Sequence, residues 1–130
     1  MNREIKFRIW ADNKFYNKCL VGNTNNANDE KWTCPMVWLE KQKEWVHCDN
    51  GIVCQFTGLH DKNGKEIYEG DIVKVRHRGE TDIGKVIYEY NGFIVDVMNM
   101  NRNYGRVHIL ETFTEVIGNI FENPELLGGE

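Results

Sequence analysis

The segment Glu69-Gly70-Asp71-Ile72-Val73-Lys74-Val75-Arg76-His77-Arg78 decides the reading of the fold. Val73, Val75 and His77 fall on one side of an extended chain, and Ile72, Lys74, Arg76 and Arg78 on the other. A two-residue period of this kind belongs to a strand with one face on a core. Gly70 relaxes the backbone at the preceding turn, and Asp71 offers a carboxylate to backbone N–H groups. The segment therefore reads as the first strand of a small barrel.

Working outward, the turn Gly79-Glu80 leads to a strand over Asp82–Tyr90. Asn91-Gly92 is the strongest short hairpin signal in the chain, and Phe93–Met98 follows it. Arg106–Phe113 and Glu115–Phe121 complete five strands. Strands at about 8–12-residue spacing with turn chemistry between them indicate a barrel or sandwich. Five short antiparallel strands fit an SH3-like barrel over residues 71–121. A short helical turn is expected after Asn123, because Asn caps, Pro124 suits the first helical position and Glu125 suits the positive dipole end.

Toward the N-terminus, Glu4–Ala11 places Ile5, Phe7 and Ile9 on one strand face. Asp12-Asn13 is a turn before a strand over Lys14–Val21. Gly22-Asn23-Thr24-Asn25-Asn26-Ala27-Asn28-Asp29 reads as an exposed loop, since its side chains compete with the backbone for hydrogen bonds. Trp32–Leu39 and Trp45–Cys48 pair across the charged turn Glu40-Lys41-Gln42-Lys43-Glu44, and Ile52–Thr57 follows the turn Asp49-Asn50-Gly51. No long window has helical periodicity. The expected fold is mainly β: an N-terminal strand region over 1–57, a turn motif over 58–70, and an SH3-like barrel region with a short tail within 58–130, the two packed as one compact unit.

A chain of 130 residues allows one domain or two very small ones. Its 12% aromatic content supplies enough core-forming side chains to exclude wholesale disorder. The net charge of −4 excludes a global positive field that would draw the chain to nucleic acid. Met1–Lys6 holds no apolar leader segment, and no apolar run approaches a membrane span. A cytoplasmic protein with no membrane contact is expected. Cys19, Cys34, Cys48 and Cys54 read as thiols rather than staples, because a core of this size needs none.

Catalytic and cofactor chemistry lacks a sequence signature. His47, Cys48, Cys54 and His60 do not have structural zinc spacing, and adjacent strand residues such as His47 and Cys48 point apart. Asp61-x-Asn63-Gly64 echoes the start of a calcium loop, but Ile72 stands where the bidentate Glu belongs. Neither a nucleophile elbow nor a phosphate loop occurs. The expectation is no enzyme and no cofactor.

The feature that remains is a local basic face. Lys74, Arg76 and Arg78 share one side of their strand, and Lys85 lies across on the next. Arg102, Tyr104 and Arg106 cluster around the following connection. Basic faces with stacking aromatics on small β-barrels bind nucleic acid; the plain alternative is a solvated face whose charges deter edge pairing. Trp10, Trp32, Trp38 and Trp45 are expected mostly in the core, with one or two at an interface. Open strand edges make a homo-oligomer a further expectation.

Three segments carry a family resemblance. They are Arg3-Glu4-Ile5-Lys6-Phe7-Arg8-Ile9-Trp10, the central run from Gln55-Phe56-Thr57-Gly58 through Asp61-Lys62-Asn63-Gly64 to Asp71-Ile72-Val73, and Thr114-Glu115-Val116-Ile117-Gly118-Asn119 running on to Leu127. In this order and spacing they resemble the YopX family of small proteins from phages and prophages of Gram-positive bacteria. The resemblance implies a mostly β protein with an SH3-like barrel in its C-terminal half. It supplies no catalytic or binding residue. Asp61-Lys62-Asn63-Gly64 then reads as a turn, Gly58 and Gly70 as special backbone positions, and Ile67 and Tyr68 as packing residues. The favoured function is a non-enzymatic binding or adaptor module for a protein partner; the alternative is nucleic-acid binding through the Lys74 face. A Cys–His enzyme is the weakest reading.

Overall fold

The computed structural model describes residues 5–21, 23–25, 31–33, 35–48, 50–77, 79–89, 92–97, 105–109 and 111–127. Strands dominate, and the described residues contain two 3-10 turns and no α-helix. The chain divides into two compact units, one of residues 5–55 and one built mainly from residues 56–130. No helix among the described residues is long and apolar enough to cross a membrane.

In the first unit, β1 (Phe7–Ala11) pairs with β2 (Lys14–Tyr16) across Asp12 and Asn13, at φ 53° and 63°. Two successive left-handed residues make the turn whose twist matches a hairpin, and Asp and Asn tolerate that conformation better than most side chains. The strand begins at Phe7, so Ile5 stands 69% exposed while Ile9 is fully buried. The expected strand over Lys14–Val21 is instead two strands in different sheets. β2 ends at Tyr16, and β3 (Cys19–Leu20) pairs with β6 (Met36–Leu39). The break falls where the Lys18 carbonyl accepts a hydrogen bond from the Trp38 N–H at 3.0 Å.

Two further expectations need correction. Residues 23–25 are not loop: β4 (Asn23–Asn25) pairs with β5 (Lys31–Thr33), because a ladder needs only a partner backbone. Residues 22 and 26–29 of that expected loop lie outside the described residues. The expected strand Trp32–Leu39 is interrupted at Pro35, which has no N–H to donate to a ladder. Its carbonyl accepts the Cys48 N–H instead, at 2.9 Å. β6 and β7 (Glu44–His47) form the expected hairpin, with Trp38 opposite Trp45.

β8 (Ile52–His60) is longer than expected; its residues 52–55 pair with β1. In the second unit, residues 56–60 pair with β9 (Glu66–Tyr68), so the motif expected as a linking turn is a hairpin. Gly58, at φ 89°, lies within the register shift between Phe56 and His60. Thr57 Oγ1 satisfies the irregular backbone there: it donates to the Ile67 carbonyl and accepts from the Leu59 N–H.

β10 (Asp71–His77), β11 (Glu80–Glu89), β12 (Gly92–Val97) and β13 (Gly105–His108) follow as an antiparallel run. β14 (Thr114–Asn119) returns beside β10, giving the order β13-β12-β11-β10-β14 in a sheet curled into a half-barrel. The Asn91-Gly92 hairpin signal is realised with Gly92 already inside β12, opposite Glu89; Asn91 lies outside the described residues. The strand expected over Arg106–Phe113 stops at His108, and Glu111–Phe113 is a 3-10 turn. The turn expected after Asn123 is the 3-10 turn Pro124–Leu127.

Val73, Val75, Val86, Val95, Val97, Ile67 and Ile109 form the core of this unit. Each such side chain contributes about 1.5–3 kcal/mol by leaving water. The alternation places Ile72 on the polar side with Lys74, yet it is fully buried. The register to β14 shifts between Ile72 and Val73, and Pro124–Leu127 packs against β11, the strand paired with Ile72. Both sides of the sheet are thus covered at this end, and alternation no longer sorts apolar from polar.

Asp61 joins the β8–β9 turn to β14. Its Oδ1 accepts the Asn63 and Lys65 N–H groups and its Oδ2 the Val116 N–H, each at 2.9 Å. The Lys62 N–H adds a bond to the Thr114 carbonyl at 2.9 Å. Burial pushes the Asp61 carboxyl up, but the Val116, Lys65 and Asn63 bonds and the Lys65 charge together hold it below its ordinary value. A depressed carboxylate stabilises the fold above the unfolded pKa of about 3.9, and that contribution is lost as pH falls through the folded value. Asp61→Ala leaves three backbone donors unpaired and is expected to cost about 3 kcal/mol in urea unfolding at neutral pH. The loss should shrink on acidification through that window; an equal loss at pH 7 and pH 2 would contradict the assignment.

Candidate functional site: a basic cleft in the second unit

β10 sends Lys74 and Arg76 to the same exposed face, because Val73 and Val75 alternate with them into the core. Lys74 stands opposite Ile83 on β11 and Glu115 on β14; Arg76 stands opposite Thr81. The β8–β9 turn adds Lys62 and the 3-10 turn adds Thr112 and Phe113. Together they enclose an open cleft of about 300 Å³. Lys62 Nζ lies 3.6 Å from Glu115 Oε1, so one of three cations is partly compensated. Phe113 is 50% exposed at the rim. Among the described residues the cleft sets three cations against the one carboxylate of Glu115, beside the hydroxyls of Thr81 and Thr112 and one aromatic face. That set is chemically complementary to an anionic group flanked by an apolar one.

Of the residues singled out in the sequence, Lys74 and Arg76 come together here. Lys85 shares their face, one row along and opposite Ile72, but does not line the cleft. Arg78, Arg102 and Tyr104 lie outside the described residues. The backbone of Arg106 stands in β13 opposite Asp96, with its side chain outside the described part. Sequence reasoning missed Lys62, Thr81, Thr112, Phe113 and Glu115. In the sequence Lys62 belongs to a turn signal and Phe113 ends a strand pattern, and nothing local joins the two. Their meeting depends on Asp61 and Lys62 docking on β14.

The cysteines lie in the first unit. Cys19 Sγ donates to the Phe7 carbonyl at 3.3 Å, and burial pushes its thiol pKa up. Cys54 is buried at 3% exposure, and Cys34 lies outside the described residues.

Comparison with known proteins agrees with this fold. The YopX family model, described as YopX protein, matches residues 6–128. This chain therefore belongs to the YopX family. Among solved structures, protein EF1440 from Enterococcus faecalis is similar over 97% of this chain and 99% of its own, with 20% identity and a TM-score of 0.61. Protein yopX from Bacillus subtilis is similar over 93% of this chain and 96% of its own, with 21% identity and a TM-score of 0.59. Comparison with curated proteins gives no match.

The Lys62–Glu115 pair is solvent-accessible and contributes under about 1 kcal/mol. Glu115→Gln should therefore leave the thermal midpoint nearly unchanged while tightening binding of a phosphate or carboxylate probe at Lys62 and Lys74. Chemical-shift titration with a short polyglutamate checks this; a large loss of stability, or weaker binding, would contradict it.

Proposed function

We propose that this protein is a non-enzymatic binding module that takes an acidic segment of a protein partner in the Lys62–Lys74–Arg76 cleft. The observation that carries the reading is the exposed Phe113 at the rim of a cleft with a cationic surplus. A carboxylate of the partner would meet Lys74 and Arg76, and a neighbouring apolar side chain would lie on Phe113. Rim charges mainly steer and select, and buried aromatic contacts supply affinity. The strand order β13-β12-β11-β10-β14, with a 3-10 turn before the last strand, supports reading the sheet as an SH3-like barrel. Such barrels serve many functions, so the site and not the fold carries the argument. The resemblance of the three motifs supports phage or prophage origin and action in the bacterial host cytoplasm.

Affinity capture from bacterial lysate compares the natural chain with Lys74→Glu/Arg76→Glu. A protein recovered by the natural chain at moderate salt and lost with the double charge reversal supports the proposal. Capture undiminished by the reversal, or a reproducible turnover activity, overturns it. A second reading, nucleic-acid binding on the same face, is favoured by Phe113 standing beside cations, where a base could stack. Anisotropy with single- and double-stranded oligonucleotides at low salt tests it, and binding unchanged by the same reversal removes it.

A further inference from the structure

The first unit holds a second cleft of different composition. Lys14, Phe15, Tyr16, Trp38, Glu40 and Lys41 line a space of about 420 Å³, together with Leu39 and Gln42. It is formed by β2 and the β6–β7 hairpin. Both walls are fixed by tight turns: Asp12 and Asn13 precede β2 in the left-handed region, and Lys43, at φ 56°, closes the β6–β7 turn with its N–H on the Leu39 carbonyl at 2.8 Å.

A cation stands over each ring of this cleft, Arg8 over Phe15 at 3.8 Å among them. Lys14 Nζ lies 4.8 Å from the Tyr16 ring centre and Lys18 Nζ 4.2 Å from that of Trp38. Trp38 meets Trp45 edge to face at 5.3 Å. The single carboxylate of the lining, Glu40, accepts the Trp38 Nε1–H at 2.6 Å and lies 3.5 Å from Lys43 Nζ. The Trp38 bond, helped by Lys43 and Lys18, outweighs desolvation and holds its carboxyl below the usual range. Its charge is thus spoken for, and Lys14, Lys18 and Lys41 leave the cleft positive.

A ligand matching this surface alternates flat π-faces with anionic groups at short spacing. We propose that the Phe15–Tyr16–Trp38 cleft is a binding site for single-stranded nucleic acid. A base stacks on the Trp38 or Tyr16 ring in place of the lysine that stands over it, and the adjoining phosphates meet the displaced lysine and Lys41. Stacking of this kind accepts any base, so the site reads strandedness and not sequence.

The test is fluorescence anisotropy with a labelled oligothymidylate of about 12 nucleotides, a length within the usual range of such sites. Binding should weaken as salt rises. Lys14→Glu/Lys41→Glu should lower affinity at least tenfold with an unchanged circular dichroism spectrum. Trp38→Ala should do likewise through lost stacking. If Trp38→Ala unfolds the hairpin, the surface charge reversal and quenching of tryptophan fluorescence by the oligonucleotide carry the test. Absence of binding at low salt, binding indifferent to the lysine reversal, or tighter binding of duplex or of polyglutamate overturns the proposal. An equal loss with Lys74→Glu/Arg76→Glu overturns it too, by assigning the binding to the other cleft.

Discussion

The Asp61 carboxylate is the constraint on which the second unit turns. Three backbone N–H groups converge on it, two from its own turn and one from Val116, fifty-five residues away. An ionised acceptor bound this way is worth more than the same number of neutral contacts. It also cannot be replaced by its near relatives: an amide presents donors where acceptors are needed, and a longer carboxylate would overshoot the turn. Gly64, at φ 85°, and the Asp61 carbonyl accepting the Gly64 N–H complete the geometry. The β8–β9 hairpin is thereby fixed to the last strand of the sheet.

Everything at the basic cleft inherits that placement. Lys62 follows Asp61 directly, so the bonds that seat the turn also deliver a cation to the face of Lys74 and Arg76. At the other end of β14 a similar economy holds. Asn119 Oδ1 accepts the Phe121 and Glu122 N–H groups, and Asn123 Oδ1 accepts the Asn119 N–H. A Cβ at Gly118 would stand 2.6 Å from Asn123 Oδ1, so this glycine makes room for the return of the chain. The Asn123 side chain thus reaches back into the preceding turn, where the sequence suggested only a cap for the residues after it.

Local chemistry was legible and distant pairing was not. The alternation of Val73 and Val75, the Asp12-Asn13 and Asp61–Gly64 turns, and the acidic Pro-led turn at 124–127 all rest on forces within a few residues, and the structure contains each of them. The expected Lys14–Val21 strand split because Lys18 bonds to Trp38, a contact with no local trace. Residues 23–25 hid as a polar loop because ladder bonds belong to the backbone and leave no mark in side-chain polarity. Ile72 misled because alternation reports a face only when one side of the sheet is wet. At the cleft, Lys74 and Arg76 were visible as a strand pair. Lys62 and Phe113 come from two turns that no periodicity connects.

The seating of the turn on β14 has a consequence for assembly. Sheet edges template the addition of further strands, and proteins that leave both edges open risk endless ribbons. Here the Thr114 carbonyl and the Val116 N–H are already engaged by Lys62 and Asp61, so one margin of the sheet is chemically spent. At the opposite margin β13 has β12 as its one sheet neighbour among the described residues. The two margins of this sheet therefore differ in kind: one has its outward backbone groups at Thr114 and Val116 taken up by a turn of the same chain, and the other is a bare strand among the described residues.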